Sequence, residues 1–246
     1  MTVYREQAPG GILAGWIECC WYLESNTAVT RYSVPPDGCI DILYDRANGL
    51  RAIGSMTAKQ SFDLAEGAYL TGIRFRPGLA RPFLGISAAE LTDGSAPLDD
   101  LFPRRARELM RKLDDAPSIQ EAMRRMQAEF QAPAHPLNSV QRAISEMAAL
   151  NGKACLETVA SHARLNLRQF RRRCLEESGL TPKFLSRILR FRHARRCASK
   201  TGKPDWARIA AEAGYFDQAH LIRDFQSFTG LTPVADFSNT RSRCTE

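Results

Sequence analysis

The chain has 246 residues, 44% apolar and 25% charged, with a formal net charge of +7; this length suffices to bury a core and to form two domains of ordinary size. The charge is unevenly divided: residues 1–132 carry 15 Lys and Arg against 17 Asp and Glu, and residues 133–246 carry 19 against 10. Only the C-terminal part therefore has the electrostatic footprint of a polyanion binder. Seven cysteines, at 19, 20, 39, 155, 174, 197 and 244, show no CxxC pair and no regular spacing. That excludes a disulfide scaffold and points to reduced thiols in a cytoplasmic protein.

The apolar run from Ile12 to Leu23 is short and is interrupted by Glu18, so neither a signal peptide nor a membrane span is expected. Strands are predicted at Gly15–Leu23, Thr30–Val34, Cys39–Tyr44, Leu50–Ile53, Ser61–Leu64 and Tyr69–Phe75, separated by turn residues such as Pro35-Pro-Asp-Gly38, Asn48-Gly49 and Glu66-Gly67. Many short strands with such punctuation indicate an antiparallel sheet or a small barrel. Beyond Pro77 the pattern turns helical, at Gly78–Leu84, Ala88–Leu91 after a Ser87 cap, Pro103–Leu113 and Ser118–Phe130. Leu109, Leu113, Ile119, Met123, Met126 and Phe130 form an apolar stripe that could cover the sheet or pair two chains; the expectation here is a homodimer. The segment Gln131-Ala-Pro-Ala-His-Pro136 reads as a linker, because its two prolines block helix continuation.

The C-terminal part is organised around Asn166–Ser178. Asn166 is a good N-cap and Gly179 a good C-terminal stop. Leu167, Phe170 and Cys174 would make the apolar stripe, while Arg168, Arg171 and Arg172 stand side by side on another face, suited to base edges and phosphates in a major groove. A solvated basic face is the plainer alternative. Upstream, Leu156–Ala163 is a short amphipathic stretch, and Arg164-Leu-Asn166 leaves room only for a turn. Helix, tight turn and basic helix make a helix-turn-helix arrangement. The unit repeats: Gly179-Leu-Thr-Pro182 recurs as Gly230-Leu-Thr-Pro233, and Asn166, Phe170, Arg172 and Cys174 match Asp217, Leu221, Arg223 and Phe225. Trp206–Gly214 supplies the first helix of the second copy, with a turn that differs by one residue. Between the copies, Pro182 opens a basic stretch to about Lys200 with no internal Gly or Pro, a single connecting helix.

With those residues in view, the segment from about Leu137 to Phe237 resembles the DNA-binding domain of the AraC/XylS family of bacterial transcription regulators. The matching residues are Asn166-Leu-Arg-Gln-Phe-Arg-Arg-Arg-Cys174, Gly179-Leu-Thr-Pro182, Arg190-Phe-Arg-His-Ala-Arg195, Ile209-Ala-Ala-Glu-Ala-Gly-Tyr-Phe-Asp-Gln-Ala-His-Leu-Ile-Arg-Asp-Phe225 and Thr229-Gly-Leu-Thr-Pro233. Cys174 stands where the family usually has Phe, Asn166 where Ser is common, and Tyr215-Phe216 where Phe-Ser is more frequent. The resemblance implies an all-α domain with two helix-turn-helix units joined by a long helix, and DNA contacts by Gln218, His220 and Arg223. It also fits a cupin-like barrel at the N-terminal end. Pro35-Pro-Asp-Gly-Cys-Ile-Asp41 and Gly72-Ile-Arg-Phe-Arg-Pro-Gly78 look like the sensor domain of a subset of such regulators whose ligand is generally undefined.

The expected architecture is thus α+β: a sensor or oligomerisation domain over 1–130, a linker over 131–136 and a DNA-binding domain over 137–246. Its partners would be double-stranded DNA, a small-molecule effector and, for an activator, RNA polymerase. No cofactor or metal is expected. Cys19 and Cys20 on one strand point to opposite faces, so they and Cys39 read as buried structural thiols. Asp37 is explained by its Pro-Asp-Gly turn and Asp41 by an exposed strand face. The four histidines, at 135, 162, 193 and 220, form no spaced metal motif. An enzyme that accepts alkyl groups on a zinc-bound Cys, coupled to such a DNA-binding domain, would need four thiolates, and residues 1–132 hold three Cys. A purely architectural DNA binder is the remaining alternative.

Overall fold

A computed structural model describes residues 1–244. The N-terminal part holds eight strands among the described residues: β1 (Thr2–Gln7), β2 (Ile17–Ser25), β3 (Val29–Val34), β4 (Ile40–Asp45), β5 (Gly49–Ile53), β6 (Gln60–Leu64), β7 (Ala68–Phe75) and β8 (Ser95–Pro97). Six of them make one antiparallel sheet in the order β1-β2-β7-β4-β5-β8, and β3 pairs with β6 in a separate two-stranded ribbon. The sheet is open, with β1 and β8 at its edges, so of the two expected forms it is the sheet and not the closed barrel. The predicted strands all form; β1 and β8 were not predicted, the first because Tyr4-Arg-Glu-Gln7 lacks apolar alternation and the second because three residues ending in Pro carry no pattern.

The two faces of the sheet divide the core. Ile17, Cys20, Ile42, Tyr44, Ile73 and Phe75 point to one side, and Cys19, Trp21 and Leu23 to the other, against Leu64 of the ribbon. Cys19 and Cys20 thus lie on opposite faces, as strand geometry requires. A register shift between Ile17 and Cys19 lets Ile17 share the face of Cys20. At mid-sheet, β7 needs Gly72: a Cβ there would sit 2.5 Å from the Trp21 ring.

Helix α1 (Arg81–Leu84) and a 3-10 turn at Ala88–Leu91, held by a Ser87/Glu90 capping box, lie between β7 and β8, and α2 (Leu98–Leu101), α3 (Pro103–Asp114) and α4 (Ile119–Ala128) follow β8. The proposed dimer stripe is intramolecular. Leu109, Leu113, Met123, Met126 and Phe130 are all buried in the same core as Phe75 and Tyr44, and Ile119 is buried too. The sheet's helix-side face is broad and largely apolar, and α3 and α4 cover it. The stripe therefore supplies no argument for a homodimer.

Seven helices complete the chain: α5 (Ser139–Ala149), α6 (Leu156–His162), α7 (Leu167–Ser178), α8 (Pro182–Ser199), α9 (Trp206–Glu212), α10 (Gln218–Thr229) and α11 (Pro233–Cys244). They enclose a second core of their own, which includes Ile144, Val159, Phe170, Ile188, Phe191, Leu221 and Phe225. Among the described residues no helix is long and apolar enough to cross a membrane.

Met123→Glu is expected to unfold the N-terminal part rather than dissociate a dimer, because an unpaired carboxylate in that core costs several kcal/mol. Thermal melting should show loss of its transition; a folded, monomeric variant of unchanged melting temperature would contradict the assignment of this stripe to the core.

Candidate nucleic-acid interface

Each helix-turn-helix unit is built by the same local chemistry. Asn166 caps α7 through a capping box with Gln169, its side chain accepting from the Gln169 N–H at 2.9 Å, and Asp217 caps α10 by accepting from the His220 N–H at 2.6 Å. Both helices end in a left-handed glycine, Gly179 at φ 74° and Gly230 at φ 72°. A hydroxyl one position earlier repeats as well: Ser178 Oγ donates to the Cys174 carbonyl and Thr229 Oγ1 to that of Phe225.

The turns account for the one-residue difference between copies. Leu165 N–H bonds the Ala160 carbonyl and Tyr215 N–H that of Ala210, so Leu165 corresponds to Tyr215. The left-handed residue before each is Arg164 in the first unit and Gly214 in the second. Asn166 and Asp217 are again equivalent caps, which leaves Phe216 as the inserted residue. Tyr215 is buried, whereas Phe216 is 94% exposed just before the Asp217 cap of α10. Phe216 was not among the expected contact residues, although an aromatic in place of a small polar residue was the available signal.

Of the expected contact residues, Arg168, Arg171 and Arg172 are all exposed on α7, opposite the buried Phe170 and Cys174. Arg172 lies 3.9 Å from Glu176, a loose pair on an exposed surface. Gln218 and Arg223 are exposed on α10. His220 is half-buried and stands edge-on to the Tyr215 ring, 5.1 Å between centroids, so its ring braces the turn. Leu167 departs from expectation: it shares the azimuth of Cys174 but is 45% exposed, since it occupies the first helical turn, which the packed layer leaves in solvent.

The connecting helix α8 fixes the two units relative to each other. Its Leu185, Ile188, Phe191 and Ala194 are buried, and Phe191 packs against Phe225 and Phe228 of α10 with centroids 4.9 and 5.2 Å apart. Arg187 clamps the buried Asp224 of α10 from α8, with Nη2 at 2.8 Å and Nε at 3.0 Å from the same oxygen.

The other end of α7 is docked on the N-terminal part. The last carbonyls of a helix have no intrahelical partner, and here they are met from the sheet side: Ser55 Oγ donates to the Ser178 carbonyl at 2.7 Å, Thr92 Oγ1 to that of Gly179 at 2.8 Å and Ser87 Oγ to that of Glu176 at 3.4 Å. Gly179 is required twice over, for its left-handed backbone and because a Cβ would lie 2.9 Å from Thr92 Oγ1. The buried Glu177 accepts from Arg81, Asn138 and Gln141. On α8, Arg192 donates to the Asp37 carbonyl and pairs with Glu18. The two parts of the chain are thus in direct contact across the 131–136 segment, because the end of α7 and the outer face of α8 find partners on the sheet domain.

Beneath Arg192 lies an ionic network that corrects the reading of Asp41 as an exposed strand residue. Arg74 grips Asp41 with two nitrogens, at 3.0 and 3.1 Å, and reaches Asp37 at 3.2 Å, while Trp21 Nε1 donates to Asp41 at 3.0 Å. Asp37 also makes its expected turn bond to the Cys39 N–H at 2.9 Å. Burial and the Asp37 carboxylate hold the Cys39 thiol well above its ordinary range, so it is a neutral donor to Glu18 rather than a reactive thiolate.

A family model described as a helix-turn-helix domain matches residues 159–238, and one described as a domain of unknown function matches residues 5–97. None of the curated proteins matches. The chain is similar to the DNA-binding domain of AdpA, solved in complex with a target DNA, with 21% identity over 44% of this chain and 96% of that one and a TM-score of 0.40. It is also similar to ToxT from Vibrio cholerae, with 12% identity over 96% of this chain and 97% of that one at TM-score 0.43. A dual regulator from Escherichia coli K-12 shows 18% identity over 45% of this chain and 99% of its own at TM-score 0.38.

Ser55→Ala removes the donor to the Ser178 carbonyl and is expected to cost ~1–3 kcal/mol. Hydrogen exchange should accelerate over residues 176–180 and stay unchanged over 227–231. Equal acceleration at both sites, or at neither, would show that the sheet domain does not cap α7.

Proposed function

We propose that the chain, whose residues 159–238 match a helix-turn-helix family model and resemble AraC/XylS regulators, is a sequence-specific DNA-binding regulator whose α7 and α10 enter two successive major grooves. The observation that carries this reading is the repeated unit itself: two capped 12-residue helices with outward-facing polar and basic residues, held apart by one buried 18-residue helix. At 1.5 Å per residue α8 is ~27 Å long, and successive groove faces of B-DNA lie ~34 Å apart. Arg168, Arg171 and Arg172 would serve the first groove, and Gln218 and Arg223 the second. His220, braced against Tyr215, would contact DNA through its outer edge.

Residues 1–130 are the control domain in this reading, joined by 131–136 to the DNA-binding domain over 137–246. Support for a control role is the direct seat of the sheet domain on α7 and α8, which places any change in the sheet domain within one contact of a recognition helix. Its effector would be a small molecule. Pairing of two chains on neighbouring half-sites would use a surface other than the α3–α4 stripe, and activation would bring in RNA polymerase. The site is cytoplasmic, as DNA binding requires in a bacterial cell.

Arg168→Ala is expected to cost ~1–3 kcal/mol on the cognate operator and to relax preference at one base pair, with little change on random DNA. Competition binding at fixed salt reads this; an equal loss on both DNAs would assign Arg168 to phosphate. Phe216→Ala should leave the melting temperature unchanged, since the ring touches solvent, while weakening operators with a thymine methyl at the adjacent position. Operator affinity identical to the parent across all substitutions at that position would remove Phe216 from the interface.

A further inference from the structure

We infer that His193, Cys197 and Glu212 form a binding site for a divalent transition-metal ion of the zinc class, bridging α8 and α9. His193 and Cys197 stand one turn apart on α8 and so share a face. Glu212, the last residue of α9, meets them from the second helix-turn-helix unit. Cys197 Sγ lies 3.8 Å from His193 Nε2 and 3.3 Å from a Glu212 carboxylate oxygen, and the three donor atoms are all within 4.8 Å of one another. Zinc–sulfur and zinc–nitrogen bonds of ~2.3 and ~2.0 Å in a tetrahedron imply donor separations of roughly 3.5 Å. The side chains are thus close to ligating distance already, and Glu212, being exposed, has freedom to complete the approach.

The donor set fits that class of ion. A thiolate with an imidazole and a carboxylate suits zinc rather than calcium or magnesium, which take all-oxygen shells. Partial burial, with Arg196 and Lys153 nearby, lowers the His193 pKa and favours the neutral imidazole that ligates. Burial and Glu212 raise the Cys197 thiol, with Lys200 and Arg196 opposing, so binding would release the thiol proton to solvent and strengthen as pH rises. Lys153, Arg196 and Lys200 lower the affinity for any cation, but thiolate and carboxylate together balance the ion's two charges. His193 and Cys197 are half-buried and Glu212 exposed, which leaves a fourth position for water and makes the ion exchangeable rather than permanently enclosed. The physical consequence is a clamp: an ion here ties the connecting helix to the support helix of the second unit and stabilises that arrangement by mass action.

Cobalt(II) titration of the full chain, with zinc(II) competition, tests the site. Expected are one cobalt per chain with a thiolate-to-cobalt charge-transfer band, its loss in Cys197→Ser, and about tenfold or greater weakening in His193→Ala and Glu212→Gln. Cys155→Ser, at an exposed cysteine elsewhere, should bind as the parent does. Zinc should raise the melting temperature of the parent and leave Cys197→Ser unshifted. No charge-transfer band in the parent, or a band that survives Cys197→Ser, overturns the assignment. Should Cys197→Ser fail to fold by circular dichroism, Glu212→Gln decides, and undiminished cobalt affinity there overturns it equally.

Discussion

The arrangement of α7 and α10 depends on the burial of α8. A helix whose Leu185, Ile188, Leu189, Phe191, Ala194 and Ala198 are all buried cannot shift without opening the core on both sides, and interiors packed at crystal-like density resist such shifts. The Arg187–Asp224 clamp adds direction to that packing, since a paired, buried carboxylate tolerates no loss of its partner. Helices α7 and α10, attached to one such rod, have a fixed separation and orientation. Affinity then comes with less ordering cost at the moment of binding, because the geometry is set beforehand.

The two units are alike in their cores but not in what lies behind them. The last carbonyls of α7 are closed by hydroxyls of Ser55, Thr92 and Ser87 from the sheet domain, while α10 ends in its own Thr229 and Gly230. The sheet domain is therefore tied to the end of α7 by hydrogen bonds, whereas at the end of α10 it brings the Lys59 side chain up to Gly230. Buried Glu177 strengthens this asymmetry, because its three partners come from α1, the cap of α5 and α5 itself, so the sheet domain contributes to a carboxylate that would otherwise be costly to bury.

Much of this was legible in the sequence, for local reasons. Asn166, Asp217, Gly179 and Gly230 specify helix ends by their own chemistry, and a repeat of such signals shows up without any tertiary knowledge. The strand set was likewise marked by turn residues. What failed were inferences about which neighbour covers a surface. The Leu109–Phe130 stripe looks the same whether a second chain or the sheet lies against it, Leu167 looks buried until the layer above it ends, and Asp41 looks exposed until Arg74 and Trp21 are brought across from strands 20 and 33 positions away. The approach of Glu212 to His193 and Cys197 was equally out of reach, since the turn between α8 and α9 decides it.

On the proposed reading, α7 and α10 enter two successive grooves on one face of the duplex. A hydroxyl-radical footprint of the full chain on a selected operator tests it directly, because the cleavage pattern reports which side of the helix is covered. Expected are two protected blocks about one helical turn apart on the same face, with the block under α7 weakened in Arg168→Ala and the block under α10 weakened in Arg223→Ala. A single block, or two blocks that fade together in either variant, would contradict it.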